Sequence, residues 1–138
     1  MLNLISIIVY KIKMINKKKI LILGGGHEQL PGIIISKSLG IRNVVIDKNN
    51  KCPGRKYANK FYNISTDNFK RILQISKKEN IDGICTFASE RPLKVISKIC
   101  EIINLKSLKE NIIEKVINKD KSKKIFKKKK ISFINGVT

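Results

Sequence analysis

The 138-residue chain is long enough for one domain with a hydrophobic core, and a composition of 42% hydrophobic and 29% charged residues excludes a disordered chain. Its net charge of +20 at pH 7 is typical of nucleic-acid-binding proteins. However, 26 of the 30 basic residues are Lys, whereas recognition of bases and phosphates favours Arg. The 27 Ile and 13 Asn beside only two Ala reflect A/T-rich codons, which also explains the Lys. We therefore expect no specific nucleic-acid partner.

The cysteines and the N-terminal segment indicate a cytoplasmic protein. Cys52, Cys85 and Cys100 are odd in number and lack CxxC spacing, and there is one His, which excludes a disulfide framework and a zinc site. Residues 1–17 are expected to be an extension, and Met14 begins a segment that is a better start for the domain. The apolar run at residues 4–10 is far shorter than the about 20 residues needed to span a bilayer. It also lacks the features of a signal peptide, so no membrane partner is expected.

Short and long apolar segments alternate through the middle of the chain. They predict strands at residues 20–23, 44–46, 61–64 and 83–87, and helices at residues 30–39, from 69 onward, and at 91–103. Asp67 and Ser89 are predicted to cap the last two of these helices. The order predicts an α/β fold: a Rossmann-like open parallel sheet of about four strands with helices on both faces.

The character of the sequence changes after residue 107. Residues 111–117 have a short helical pattern, and residues 119–130 contain eight Lys. This Lys-rich block predicts either a disordered tail or a Lys-faced helix with Ile125 and Phe126 on its apolar side. The last eight residues resemble the beginning of a strand.

Ligands of open α/β sheets bind outside the carboxyl ends of the strands. Four segments reach that edge here: residues 24–28, residues 47–54, those after residue 64, and residues 88–91. The site is therefore expected among these loops.

The turn at Gly24, Gly25 and Gly26 lets the backbone approach a ligand, and the helix that follows offers N–H groups to an anion. Gly24 and Gly26 match the G-x-G of a dinucleotide fingerprint, but Gln29 stands where its third Gly is expected. Asp47 stands where a ribose-binding acid is expected. Three interpretations remain open: contact with an anion or substrate, a tight turn without a ligand, or a nicotinamide cofactor.

Five segments occur in a distinctive order: ILILGGGHEQLP at 20–31, VID at 45–47 with CPG at 52–54, YAN at 57–59, IDGI at 81–84, and NKDK at 118–121. Together they resemble ATP-grasp proteins related to the carbamoyl phosphate synthase large subunit and to the purine-pathway carboxylases and ligases. The resemblance covers roughly residues 18–130. It departs at Asn59, which replaces an acid usual in the family.

The resemblance implies a pre-ATP-grasp Rossmann-like domain at residues 18–117 and a truncated, Lys-rich start of the ATP-binding domain at 118–138. It implies that a small-molecule carboxylate or phosphorylated substrate lies in a cleft. The residues implied to bind that substrate are Gly24, Gly25, Gly26, His27, Glu28, Gln29, Asp47 and Glu90. Glu90 is otherwise an exposed acid in the first turn of a helix. Lys121 is implied to reach nucleotide phosphates, and is otherwise one more solvated Lys.

The complete enzymes of this family use ATP and Mg²⁺ to activate a carboxylate as an acylphosphate. That chemistry requires acidic residues around the metal, and none of the 17 residues after Lys121 is acidic. The sequence thus predicts the substrate-side N-terminal domain of a carboxylate–amine or related ligase, without catalytic residues or a metal site, truncated or completed by ATP-grasp domains on a separate chain, and inactive alone. The alternative is a stand-alone Rossmann-like protein that binds NAD or another nucleotide.

Overall fold

The computed structural model describes residues 4–15 and 18–132, which divide into two compact units between Ser107 and Leu108. The four strands are β1 (Lys19–Leu23), β2 (Arg42–Asp47), β3 (Lys60–Asn63) and β4 (Gly83–Cys85). The helices are α1 (Leu4–Ile15), α2 (Leu30–Ser38), α3 (Phe69–Glu79), α4 (Leu93–Ile102), α5 (Glu110–Ile117) and α6 (Lys119–Lys128), with a 3₁₀ turn at Pro53–Tyr57.

The four strands form one parallel sheet in the order β3-β2-β1-β4. Leu21 in the middle of β1 lies opposite Val44 of β2 on one side and Ile84 of β4 on the other. The chain moves outward from β1 to β3 and then returns to the far side of β1, so strand order reverses between β1 and β4. The predicted α/β class is confirmed, and this reversal is where such sheets bind ligands.

Helices cover both faces of the sheet because successive strand residues point in opposite directions. Leu21 and Leu23 face a core formed with α3 and α4, whereas Ile22 faces α2 through Ile33. All four of these side chains are fully buried. Strand β1 is therefore buried on both faces of the sheet, which accounts for its continuous apolar run.

Two predicted features near the carboxyl edge of the sheet were wrong. Strand β4 ends at Cys85 instead of residue 87, because Phe87 leaves the sheet to pack its ring against Gly32 of α2. The predicted caps also differ. Asn68, and not Asp67, accepts the Arg71 N–H at the start of α3, and α4 begins after Pro92 without a side-chain cap from Ser89.

Helix α1 is amphipathic in sequence, but its described side chains Leu4, Ile5, Ile7, Ile8 and Val9 are exposed. No helix within residues 4–15 and 18–132 is long and apolar enough to cross a membrane.

The second unit contains α5 and α6. The Lys-rich block forms a helix instead of a disordered tail, and Asn118 caps it by accepting the Lys121 N–H at 2.9 Å. Ile125 and Phe126, the residues predicted for its apolar side, are 37% and 38% exposed. The domain boundary predicted at residue 117 stays a prediction, and most of the strand predicted at the C-terminus lies outside the described residues.

A pair of asparagines joins the starts of β2 and β3. The Asn43 N–H donates to Asn59 Oδ1 (2.9 Å) and the Asn59 N–H donates to Asn43 Oδ1 (2.8 Å). Asn43 is fully buried, and its amide nitrogen also donates to Ile33 O and Ser36 Oγ. Asn59, the departure from the family pattern, is thus one half of this reciprocal pair.

At the opposite edge of the sheet from the site described below, Glu79 at the end of α3 is 8% exposed. Its carboxylate accepts hydrogen bonds from Lys60 Nζ (2.6 Å) and from the Tyr62 hydroxyl, and these bonds hold the pKa of Glu79 below its usual range. Burial, and then the neighbouring Glu79 carboxylate, raise the pKa of Tyr62.

We predict that Asn43→Ala lowers the free energy of unfolding by about 2–3 kcal/mol, because it leaves the buried Ile33 O and Ser36 Oγ of α2 and the Asn59 N–H without the partner that Asn43 supplies. Urea denaturation measures this. The matched control is Asn50→Ala at an exposed turn position, which should change stability by less than about 0.5 kcal/mol. Equal effects of the two substitutions would contradict the role assigned to Asn43.

Since the pKa of Glu79 is lowered in the folded state, its contribution to stability is fully present above the unfolded pKa and is lost as pH falls through the folded pKa. The difference in free energy of unfolding between wild type and Glu79→Gln should therefore be constant near neutral pH. It should shrink as the pH falls below 4.5, the ordinary pKa of a glutamate. Denaturation from about pH 7 to about pH 3 tests this. A difference that stays constant over that range would exclude the carboxylate as its source.

Candidate functional site

A cleft of about 190 Å³ opens at the carboxyl edge of the sheet, at the reversal of strand order. All four loops that follow the strands contribute to it, as the sequence predicted for the location of a site. Its lining comprises Leu23, Gly24, Gln29, Asp47, Lys48, Thr66, Asp67, Ser89, Arg91 and Pro92.

The glycine turn is held by hydrogen bonds within the protein. Gly24 has a φ of +103° and donates its N–H to Ile46 O at 2.8 Å, and Gly25 donates to Asp47 Oδ2 at 2.7 Å. Gly26 donates to Gln29 Oε1 at 3.1 Å. The N–H groups of all three glycines are therefore already engaged within the protein.

The donors left in this turn are the backbone N–H groups of His27 and Glu28, which have no acceptor within the described part of the chain. Both residues are exposed, and neither lines the cleft. Their predicted contact with a substrate stays a prediction.

Close packing explains why Gly25 is a glycine. A Cβ at this position would lie 2.7 Å from Cys52 Sγ and 3.2 Å from Val45 Cγ1. Gly25 O also accepts the Gly54 N–H at 2.8 Å, and a Cβ on Gly54 would lie 2.5 Å from Ile33 Cδ1. The CPG segment thus forms a wall against the glycine turn.

Asp47 supports two loops at once. Oδ2 accepts the Gly25 N–H and Oδ1 accepts the Asn49 N–H, both at 2.7 Å. Each carboxylate oxygen that would hold a ribose in a dinucleotide fold is therefore already bonded to backbone. The structure favours a supporting role for this side chain in the wall of the cleft.

Gln29 occupies the space above the glycine turn. A Cβ on Gly24 would be 3.2 Å from Gln29 Cδ, and Gln29 Nε2 donates to Phe87 O at 2.6 Å. This bond joins the β1–α2 loop to the β4–α4 loop across the reversal of strand order. The space in which a dinucleotide pyrophosphate would approach the glycines is filled by a side chain.

The charged groups of the cleft come mainly from residues that the sequence did not single out. Arg91 Nη2 lies 2.6 Å from Asp67 Oδ2, and Arg91 Nε donates to Asp67 Oδ1 at 3.2 Å. Lys48 and the hydroxyl residues Thr66 and Ser89 complete the polar lining. The sequence feature that could have identified these residues is their position, because each of them lies in a loop that follows a predicted strand.

Two further predicted residues, Glu90 and Lys121, are not among the residues that line the cleft. Glu90 is exposed and is not part of the lining, although its neighbours Ser89 and Arg91 are. Lys121 belongs to the second unit, where its Nζ lies 3.7 Å from Glu114 Oε2. Its predicted contact with nucleotide phosphates stays a prediction.

The described residues do not fit a metal site or a thiol nucleophile. No group of three or more His, Cys, Asp or Glu side chains within residues 4–15 and 18–132 could hold a metal ion. Burial raises the pKa of the Cys85 thiol to about 11 and also raises that of Cys52. Both thiols are therefore protonated at neutral pH and act as apolar packing groups.

No family model matches the chain. A formate-dependent phosphoribosylglycinamide formyltransferase from Sulfurisphaera tokodaii is 36% identical over 69 residues, which are 50% of this chain and 17% of that protein. The solved phosphoribosylglycinamide synthetase from Anaerococcus prevotii is 30% identical, with a TM-score of 0.68 over 80% of this chain and 28% of that chain. An N5-carboxyaminoimidazole synthetase from Staphylococcus aureus, solved with ADP, shares the fold at 23% identity, with a TM-score of 0.64 over 81% of this chain and 29% of that chain.

The fold is that of a Rossmann-like α/β domain with a polar cleft at the carboxyl edge of its sheet. The solved relatives are ATP-grasp ligases, and the match lies in the N-terminal part of their chains. This chain thus corresponds to the N-terminal domain of an ATP-grasp ligase. It spans less than a third of the solved chains that it matches.

We predict that Gly25→Ala destabilises the protein by about 1–3 kcal/mol, because the added methyl group overlaps Cys52 Sγ. The control is Gly83→Ala, where a Cβ would meet nothing within 4 Å, so that stability should change by less than about 1 kcal/mol. Thermal or urea denaturation measures both. Adding Cys52→Ala to Gly25→Ala should recover part of the loss, and a double variant with additive losses would exclude the steric explanation.

Proposed function

We propose that the chain is the substrate-side domain of an ATP-dependent carboxylate–amine or related ligase, acting in the cytoplasm, and that it has no ligase activity alone. The observation that carries this proposal is the polar cleft formed by all four loops at the reversal of strand order. Its lining combines Lys48 and Arg91 with the hydroxyl groups of Thr66 and Ser89. It also contains two carboxylates, but Asp47 accepts two backbone hydrogen bonds and Asp67 is paired with Arg91. The donor groups of the lining suit a small anionic substrate such as a carboxylate or a phosphorylated compound.

The role of the domain in such a ligase is to bind and orient the acceptor substrate. Phosphoryl transfer from ATP requires Mg²⁺ held by acidic side chains and cations over the phosphates. Since the described residues do not fit a metal site, we assign no step of that transfer to them. The ATP- and Mg²⁺-binding part would come from a longer form of the polypeptide or from a separate chain. Lys121 would belong to that part, and a closer likeness to the carbamoyl phosphate synthase large subunit is a further prediction.

The stand-alone NAD-binding alternative has little support from the geometry. It depended on Gly24, Gly26 and Asp47. The N–H groups of both glycines are already bonded within the protein, both Asp47 oxygens accept backbone hydrogen bonds, and Gln29 covers the turn. A dinucleotide would have to displace all of these contacts.

We predict that the purified chain shows no Mg²⁺-dependent ATP hydrolysis and that NAD and NADP leave its melting temperature unchanged. A ligand at 100 times its Kd would stabilise the folded chain by about 2.7 kcal/mol, which a thermal shift assay detects readily. Lys121→Gln and the matched control Lys119→Gln distinguish ATP hydrolysis by this chain from hydrolysis by a contaminating ATPase, which neither substitution would affect. Hydrolysis that Lys121→Gln alone abolishes would contradict the proposal, and a clear shift with NAD would favour the alternative.

A further inference from the structure

The ion pair of Asp67 and Arg91 joins the loops that follow the two edge strands, β3 and β4. The two contacts, Nη2 to Oδ2 at 2.6 Å and Nε to Oδ1 at 3.2 Å, place both carboxylate oxygens on the guanidinium. The Arg91 side chain remains 74% exposed and the Asp67 side chain 43% exposed. Pairs this exposed contribute little to stability, so a competing anion can replace the carboxylate at small cost.

Three other groups of the lining have no protein partner within the described residues. They are the ammonium group of Lys48 and the hydroxyl groups of Thr66 and Ser89. The second acid of the cleft, Asp47, already accepts two backbone hydrogen bonds. The three lining groups without a protein partner can therefore all donate hydrogen bonds, and one of them, Lys48, is cationic.

We infer that Arg91 is the receptor for a phosphate group of the substrate, with Lys48 as the second cation, and that Asp67 occupies Arg91 when no substrate is bound. This inference rests on the proposed function, because it names the group that the substrate cleft binds. The guanidinium fork that accepts two carboxylate oxygens accepts two phosphate oxygens in the same way.

Charge favours a phosphate over a carboxylate at this position. Exchanging the Asp67 carboxylate for a substrate carboxylate replaces one single negative charge by another, so little is gained. A phosphate dianion brings a further charge for Lys48 and a third oxygen for the hydroxyl groups of Thr66 and Ser89. Release of Asp67 also frees the β3–α3 loop from the β4–α4 loop, so binding is coupled to a local rearrangement at the mouth of the cleft.

The test is the binding of inorganic phosphate to the purified chain, followed by calorimetry or amide chemical shifts, with ionic strength held constant by KCl. Asp67→Asn removes the competing carboxylate, and we expect it to tighten phosphate binding about fivefold. Because the chain carries a net charge of +20, the control must add the same charge elsewhere. Asp82→Asn does this at the opposite edge of the sheet, where Asp82 pairs with Lys18, and should leave the Kd within about twofold.

Arg91→Gln should weaken phosphate binding about tenfold or more, whereas Arg42→Gln, at an exposed position at the start of β2, should not. Acetate titrated in the same way should bind more weakly than phosphate to both wild type and Asp67→Asn. The inference is overturned if Asp67→Asn and Asp82→Asn act alike, if Arg91→Gln binds as wild type does, or if acetate binds more tightly than phosphate.

These measurements need neither ATP nor a ligase partner. Failure of the phosphate arms would leave the substrate-domain proposal standing with another anion at Arg91. Binding of NAD, or ATP hydrolysis by the chain alone, would instead contradict the proposed function. Neither result would change the conclusion from the phosphate titrations.

Discussion

The cleft depends on the hydrogen bond that the Asp47 carboxylate accepts from the Gly25 N–H. It ties the end of β2 to the turn after β1, and the second oxygen of the same carboxylate fixes the loop that leads to the CPG segment. Gly54 then donates to Gly25 O, which closes the arrangement. The N–H groups of all three glycines are therefore bonded within the protein itself.

Because these N–H groups are used within the protein, side chains and not backbone groups must recognise a ligand in the cleft. A glycine-rich turn with free amides binds phosphate by its N–H groups, as dinucleotide-binding folds do. Here those amides are used internally, so an anion in the cleft must be held by groups such as Lys48, Ser89 and Arg91. Under the proposed function, the same strand-turn-helix scaffold would support a substrate cleft in place of a cofactor site.

The fold could be predicted from the sequence because it depends on local regularity: apolar runs of strand length, helical spacing, and glycine at the turns. The site could be predicted only to its edge of the sheet. Asp67 follows a strand and precedes a helix, which is the position of a cap, and nothing local shows that Asn68 takes that role while Asp67 pairs with Arg91. The pairing of Asn43 with Asn59 likewise depends on two strands meeting in space.

Gln29 was the local sign against a dinucleotide site at the glycine turn, because a third glycine would leave open the space that this side chain fills. Its bond to Phe87 O links the loops on either side of the strand reversal, and Asp67 and Arg91 link the loops after the outer strands. The Gln29 side chain is partly buried, and both its amide oxygen and its amide nitrogen are hydrogen-bonded. The link between Asp67 and Arg91 is an exposed ion pair. Any opening of the cleft on binding would therefore begin at Asp67 and Arg91 and leave the glycine turn in place.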